Sequence, residues 1–217
     1  LPVDYPLAIL YEDEDLLLLD KPAGIAIHPA ALTEETATVA GAVAHYLQSD
    51  SFHAVNRLDR GTTGIMAVAK TGFVHARCMT LLHTNDFQRD YRAVCDGLPP
   101  QPEGDIDLPL GRAEGSLLKR CPDPHGQSAH THYQVLSAAS GRALLRLTPT
   151  TGRTHQLRVH MAAIGCPLTG DWLYGTEDRT LITRPALHSY HLRMVHPVTG
   201  AVIDVTAPLP EDMRRLL

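Results

Sequence analysis

The order of its short apolar segments constrains the fold of this chain more than any other feature of the sequence. Segments with the composition of β-strands lie at 7–11, 16–20, 65–69, 91–95, 130–136, 143–148, 186–195 and 201–206. Helical spacing predicts three helices: one over 39–47 that Thr36 or Thr38 caps, one that Thr71 opens, and one over 154–164 that Gly165 ends. Because strands and helices do not alternate strictly, we expect an α+β protein with about nine strands. Its central β-sheet is predicted to be mixed, mostly antiparallel, and flanked by helices and loops.

Size and composition place the chain among globular proteins. It has 217 residues, of which 44% are apolar and 20% charged, which suits one large domain or two small lobes. The longest apolar run is only strand-sized, so we expect no membrane-spanning segment. Four scattered cysteines fit reduced thiols in the cytoplasm and form no zinc-binding pattern. The Pro-rich stretch 98–104 is the predicted boundary between two lobes.

Charge is unevenly distributed, although the formal net charge is only −5. Residues 1–56 contain one basic and nine acidic side chains, whereas residues 57–158 contain thirteen basic and nine acidic ones. Sixteen of the nineteen basic residues are arginines, which suit phosphate recognition, although codon bias explains the same count. The acidic total argues against non-specific nucleic-acid binding, and the basic middle allows a local anion-binding patch.

The densest polar cluster, residues 56–64, lies between two apolar segments. Asp59 in this Gly-rich loop is flanked by Arg57 and Arg60, and a guanidinium close to the carboxylate would favour its ionised form. An ionised carboxylate suits a nucleophile better than a general acid. On spacing alone, an aspartate at this position is more often a turn residue that accepts hydrogen bonds from the Thr-Thr-Gly backbone.

A second polar cluster occupies residues 151–160, at the start of the third predicted helix. Arg153, His155, Arg158 and His160 lie near the helix N-terminus, where the helix dipole also favours an anion. A phosphate or carboxylate ligand fits this composition, and so does a solvated face with one buried histidine. The histidines of the cluster and those at 130 and 132 lack further ligands at a zinc spacing, so no metal site is predicted.

Tyr91 lies in a predicted strand whose charged residues precede its apolar part. An aromatic ring at the edge of a cleft can stack on a nucleobase. Such a tyrosine is more often simply half-buried in its sheet.

Several motifs follow one another in the order found in RluA-type pseudouridine synthases, and together they cover nearly the whole chain. Residues 57–64 closely resemble the H-R-L-D-x-x-T-S-G signature of that family. Residues 20–24 are similar to its N-K-P-x-G turn, Tyr91 to its K-x-Y-x-A segment, and residues 151–175 to its long third motif. Residues 187–188 and 207–208 also fit the family pattern.

The resemblance implies a pseudouridine synthase fold with a catalytic cleft across the sheet, and an isomerase acting on structured ribosomal or transfer RNA. Members of the family break the N1–C1′ bond of a uridine, turn the base and rejoin it through C5, without cofactor or metal. By this resemblance Asp59 is the essential carboxylate, Tyr91 packs against the target base, and Arg158 is the guanidinium paired with Asp59. Reaching C1′ in folded RNA requires the nucleotide to be flipped out.

RNA contacts are expected from both polar clusters, at Arg57, Arg60, Thr62, Arg153 and His155. The resemblance also gives Arg57 the task of holding the displaced strand. We expect a cytoplasmic monomer with a single catalytic domain of two sub-lobes over 1–217. No S4-like RNA-binding domain is expected within the chain, although one could have been trimmed upstream.

Three positions depart from the family pattern. Asn56 replaces the usual His, Asp20 replaces the Asn of N-K-P, and residues 61–63 replace a more polar D-T-S segment. None of them is the proposed carboxylate, aromatic ring or guanidinium. The departures therefore concern RNA contacts and substrate choice more than the reaction.

Two other functions stay open from the residues alone. A glycoside hydrolase would use Asp59 and Asp171 as paired carboxylates, about 5–9.5 Å apart. A partnership of Asp59 with Arg158, and not with Asp171, would exclude that function. A catalytically inactive RNA-binding module is favoured only by Asn56.

Overall fold

The computed structural model describes residues 2–28 and 37–217, in which it contains twelve strands and four helices. In chain order the elements are β1 Ile9–Glu12, β2 Leu16–Lys21, α1 Val39–Leu47, β3 His53–Ala54, β4 Thr63–Ala69, α2 Gly72–Leu81, β5 Phe87–Asp96, β6 Glu103–Asp107, β7 Leu110–Arg112, β8 Arg120–Pro122, β9 His130–Ala139, β10 Arg142–Pro149, α3 Gln156–Ala163, β11 Leu187–Val195, β12 Val202–Thr206 and α4 Glu211–Arg214. The mixed, mostly antiparallel sheet with few helices confirms the predicted α+β class.

The chain divides into two compact units. One consists of Leu1–Gln88 and Ser189–Pro208, and the other of Arg89–His188 and Leu209–Leu217. The chain therefore passes between units inside β5 and β11. The Pro-rich stretch 98–104 lies wholly within the second unit, so the boundary predicted there is wrong. Proline marked only the turn between β5 and β6.

In the first unit, β2 pairs antiparallel with β1 and β4, β3 also pairs with β4, and β12 pairs with β11. The four leucines of β2 and all seven residues of β4 are buried, as expected for strands covered on both faces. Alternate side chains of the two strands, Leu16 and Leu18 of β2 and Ile65, Ala67 and Ala69 of β4, belong to one core, which is completed by Val55, Val74, Cys78, Phe87, Leu192, Met194, Ile203 and Ala207.

Both helices of the first unit begin at a threonine cap. The Thr38 hydroxyl accepts a hydrogen bond from the Gly41 N–H at 3.1 Å, and the Thr71 hydroxyl accepts one from the Val74 N–H at 3.2 Å. Each cap satisfies a backbone donor that has no partner within the helix. The alternative cap, Thr36, lies outside the described residues.

In the second unit, β10 pairs antiparallel with β5 and β9, β6 extends this sheet beside β9, and β7 pairs with β8. One apolar cluster joins β5 to α4, and another packs α3 against the β7–β8 hairpin. The segment 166–169 runs beside β5, where Leu168 forms a bridge with Cys95. Within the described part of the chain, no helix is long and apolar enough to cross a bilayer.

Candidate active site

Asp59 lies in a half-buried turn that Lys21 holds in place. The Asp59 carbonyl oxygen accepts a hydrogen bond from the Thr62 N–H at 3.0 Å. Lys21 is only 1% exposed, and its ammonium group donates to the carbonyl oxygens of Pro22, Arg60 and Thr62 at 2.9, 3.1 and 2.9 Å. A buried ammonium is tolerated only with such partners, so Lys21 ties the Asp59 turn to the end of β2.

A second set of contacts fastens the same two segments. The Gly24 N–H donates to the Arg60 carbonyl oxygen at 3.0 Å, and Arg60 Nε donates to the Gly24 carbonyl oxygen at 3.0 Å. The turn that resembles N-K-P-x-G and the loop around Asp59 thus form one rigid assembly. The hydrogen bonds to carbonyl groups fix the backbone that carries Asp59.

Glycine is required at position 64, where the loop enters β4. Gly64 has a φ of +103°, and a Cβ atom there would lie 2.1 Å from the Ser189 carbonyl oxygen. Ser189 in turn donates from its hydroxyl to the Ile65 carbonyl oxygen at 3.0 Å. The last residue of the 57–64 motif must therefore be glycine, because the backbones of Gly64 and Ser189 approach each other too closely for a side chain.

Asn56 lies in the interior of the first unit. Its Oδ1 accepts a hydrogen bond from the Ala67 N–H at 2.8 Å, and its Nδ2 donates to the Ile65 carbonyl oxygen at 3.4 Å. At 5% exposure this amide anchors the loop to β4. The Asn56 amide thus supports the loop, and the expected effect of this departure on RNA contacts stays a prediction.

The residues around Asp59 differ in exposure. Arg57 and Arg60 are exposed, Asp59 is half-buried, and Leu58 and Thr62 are buried, at 7% and 3%. The two arginines thus present cations to solvent beside the carboxylate. Thr62 contributes its carbonyl oxygen to the Lys21 contact, and its predicted contact with RNA stays a prediction.

Tyr91 lies in β5 of the second unit, opposite Leu147 of β10. It is 6% exposed, which makes it more buried than the half-buried tyrosine considered from the sequence. Its predicted contact with the target base stays a prediction.

Arg158 forms a buried ion pair with Asp171. Its Nε and Nη2 donate to the two carboxylate oxygens at 2.7 and 2.8 Å, a bidentate geometry. Arg158 is 5% exposed and Asp171 is fully buried. The Leu173 and Tyr174 N–H groups also donate to Asp171 Oδ1, at 3.0 and 3.2 Å. The predicted pairing of Arg158 with Asp59 remains a prediction.

The environment of Asp171 argues against the glycoside hydrolase alternative. A general acid or nucleophile must reach a sugar, but this carboxylate is fully buried and both of its oxygens bind the Arg158 guanidinium. Asp171 therefore serves as the counter-charge of Arg158. The sequence motif places it in the right segment, but its spacing of thirteen residues from Arg158 gives no sign of the pair.

His155 begins α3 in a left-handed conformation, with a φ of 57° and no capping hydrogen bond from its side chain. Its Nδ1 lies 2.8 Å from the Tyr174 hydroxyl, and the residue is 9% exposed. Arg153 donates from Nε to the Ser128 carbonyl oxygen at 3.0 Å and is partly exposed. Of the predicted RNA contacts in this cluster, Arg153 thus lies nearer the surface.

His160, considered earlier as an anion or metal ligand, belongs to a buried network. Its Nε2 lies 2.9 Å from the Leu108 carbonyl oxygen and its Nδ1 lies 2.9 Å from the Thr131 hydroxyl, which also accepts from Gln156. Burial lowers the pKa of His160, consistent with a neutral ring that donates through Nε2. No group of three or more metal-ligating side chains occurs among residues 2–28 and 37–217.

Comparison with solved structures defines the class of fold. Human RNA Pseudouridylate Synthase Domain Containing 1 matches this structure with a TM-score of 0.76 and 25% sequence identity, over 94% of this chain and 83% of that one. The fold is therefore that of the pseudouridine synthases, as the sequence motifs implied.

Comparison of sequences gives the family. The family model described as RNA pseudouridylate synthase matches residues 15–163. The chain is 41% identical over 215 residues to the uncharacterized RNA pseudouridine synthase YjbO of Bacillus subtilis, covering 98% of this chain and 76% of the relative. It is 39% identical over 233 residues to ribosomal large subunit pseudouridine synthase D of Escherichia coli, covering 100% and 71%. The chain belongs to the RNA pseudouridylate synthase family, whose members are isomerases acting on uridine in RNA.

Proposed function

We propose that the protein isomerises a uridine of ribosomal RNA, with Asp59 as the essential carboxylate. The observation that carries this proposal is the turn that holds Asp59, which the buried Lys21 ammonium fixes within the 57–64 motif. Relatives at about 40% identity include an enzyme named for the large ribosomal subunit, which favours ribosomal over transfer RNA.

The reaction requires a carboxylate at C1′ of the target nucleotide. Asp59 either adds to C1′ or takes a proton from the sugar as the N1–C1′ bond breaks. The detached base turns and C5 bonds to C1′, while Asp59 either leaves C1′ or returns the proton to the sugar. The hydrogen on C5 then leaves as a proton. A rigid turn suits this chemistry, because a carboxylate that is already positioned loses no orientational freedom in the transition state.

The remaining roles follow the family resemblance. We propose that the Tyr91 ring packs against the face of the flipped base. We also propose that the Arg158 guanidinium pairs with the Asp59 carboxylate. Arg158 is kept in place by its bidentate pair with Asp171. Extrusion of the uridine costs a few kcal/mol, which contacts elsewhere on the RNA must offset.

Arginine side chains supply the proposed RNA contacts. Arg57 and Arg60 are exposed and Arg153 is partly exposed, so their guanidinium groups suit phosphate binding. Thr62 is buried, and we assign it to supporting the loop, whereas His155 at the start of α3 supports RNA binding. We also propose that the protein acts as a cytoplasmic monomer with a single catalytic domain.

The proposal is tested by mapping pseudouridines in ribosomal and transfer RNA. Cells lacking the protein are compared with the same cells supplied with wild type, Asp59→Ala, or the control Asp50→Ala, which removes an exposed carboxylate of the first unit. We expect one or a few large-subunit sites to vanish and to return with wild type and the control only. Return of the same sites with Asp59→Ala would contradict the assigned role of Asp59.

A further inference from the structure

Tyr174 connects two elements of the second unit through its hydroxyl group. The Arg120 backbone N–H, at the start of β8, donates to the Tyr174 oxygen at 2.9 Å. The same oxygen lies 2.8 Å from Nδ1 of His155 at the start of α3. The hydroxyl therefore joins the β7–β8 hairpin to the residue that opens α3.

The ring of Tyr174 makes a separate contact with Arg158. The guanidinium carbon lies 5.0 Å from the ring centroid, within the range of a cation–π interaction. Tyr174 also packs against the apolar cluster of Leu110, Ala129 and Val159. The Tyr174 N–H donates to Asp171, so one residue contacts both members of the ion pair.

Hydrogen-bond direction favours one tautomer of His155. Because the Tyr174 oxygen accepts from the Arg120 N–H, its own O–H is polarised and becomes a better donor. In this arrangement the Arg120 N–H donates to the Tyr174 oxygen, and the Tyr174 O–H donates to Nδ1 of His155. Nδ1 then acts as an acceptor, and the imidazole hydrogen lies on Nε2. His155 also has a φ of 57°, a conformation that a residue without special support rarely keeps.

We propose that Tyr174 is a positioning residue with two separable parts. The Tyr174 hydroxyl holds His155 in the Nε2–H tautomer, so that the imidazole donates from the nitrogen that faces away from Tyr174. The aromatic ring of Tyr174 positions the guanidinium of Arg158. The kinetic part of this inference rests on the proposed function, in which Arg158 serves the reaction and His155 supports RNA binding.

The tautomer is tested first, without any activity measurement. In the ¹⁵N spectrum of histidine-labelled wild-type protein, we expect Nδ1 of His155 to have the shift of an unprotonated nitrogen and Nε2 that of a protonated one. Tyr174→Phe should make the two shifts converge, because Nδ1 loses its donor. Identical His155 shifts in wild type and Tyr174→Phe would overturn the role of the hydroxyl.

Kinetics then separate the hydroxyl from the ring. Tyr174→Phe should raise KM for ribosomal RNA about tenfold, the effect of one lost hydrogen bond of about 1.4 kcal/mol, with kcat within about twofold of wild type. Tyr174→Leu keeps apolar packing but removes the ring, and should also lower kcat at least tenfold. The control Tyr46→Phe, which removes an exposed hydroxyl of the first unit bonded to Glu12, should change neither constant.

The outcomes distinguish this inference from the proposed function. If wild type turns over but both Tyr174 variants lose kcat equally, or neither changes KM, the separation into two parts is wrong. If wild type turns over no RNA, the proposed function fails, and the ¹⁵N shifts still decide the tautomer. Thermal melts of each variant exclude a loss of folded protein as the cause.

Discussion

The buried pair of Arg158 and Asp171 gives a prediction whose size follows from the structure. Arg158→Met keeps a side chain of similar length but leaves the Asp171 carboxylate, which is fully buried, without its counter-charge. Removing one partner of a buried pair costs about 3–5 kcal/mol in the free energy of unfolding. The two N–H groups that remain on Asp171 Oδ1 offset part of that loss, so we expect about 3 kcal/mol.

The reciprocal substitution completes a double-mutant cycle. Asp171→Asn keeps an oxygen for the Leu173 and Tyr174 N–H groups but removes the bidentate carboxylate that holds the Arg158 guanidinium, although the Tyr174 ring still faces it. We expect a loss of about 2–3 kcal/mol for this variant. The double variant leaves neither member of this pair behind. Its loss in the free energy of unfolding should therefore be about 2 kcal/mol smaller than the sum of the two single losses.

Urea unfolding followed by circular dichroism measures the cycle. The surface pair of Arg179 and Glu177 provides the control, because Arg179 is 77% exposed and Arg179→Met should leave the midpoint unchanged. Single substitutions that each cost less than about 1 kcal/mol would refute the reasoning, and so would a double variant whose loss equals the sum of the singles.

Three further predictions concern the loop around Asp59 and its neighbours. Gly64→Ala should prevent stable folding, since its Cβ would lie 2.1 Å from a carbonyl oxygen, whereas Gly141→Ala, also at positive φ but with open space, should lower the melting temperature only slightly. Lys21→Met should lower kcat at least tenfold in RNA isomerisation with a smaller change in KM, because the turn carrying Asp59 loses its three-carbonyl anchor; equal kcat would contradict this. Burial raises the pKa of Asp20 above 3.8, so the folded state holds that proton more tightly than the unfolded state, and stability is lost as the pH rises through the raised pKa. Asp20→Asn should therefore melt at a higher temperature than wild type at pH 7, with the gap closing as the pH approaches 3.8; a constant gap would refute this assignment.

Local signals were sufficient to predict much of the fold. The caps at Thr38 and Thr71 and the long apolar strands around Leu16–Lys21 and Thr63–Ala69 depend on residues adjacent in sequence. The strand Glu103–Asp107 was missed because it is rich in acidic residues, and only Ile106 is buried. Strands β7 and β8 have three residues each, too few to show a period.

The sequence motifs predicted the proposed site residues, but not the buried contacts that hold these residues in place. Asp59, Tyr91 and Arg158 were selected because the motifs resemble those of a family. The burial of Lys21 depends on carbonyl groups that lie about forty residues further along the chain, and a lone lysine gives no sign of this. Asp171 was considered as a catalytic acid, because sequence alone does not show that the Arg158 guanidinium occupies both of its oxygens.

If the protein uses Asp59 to isomerise a uridine of ribosomal RNA, it must release the hydrogen at C5 of that uridine. Unmodified large-subunit RNA is transcribed with tritium at C5 of uridine and incubated with purified wild type, Asp59→Asn or Asp50→Ala. We predict that wild type and Asp50→Ala release tritium from one or a few uridines per molecule, while Asp59→Asn binds the RNA within several-fold of wild type and releases none. Release by Asp59→Asn at the wild-type rate would contradict the account, as would a wild-type protein that releases no tritium from this RNA.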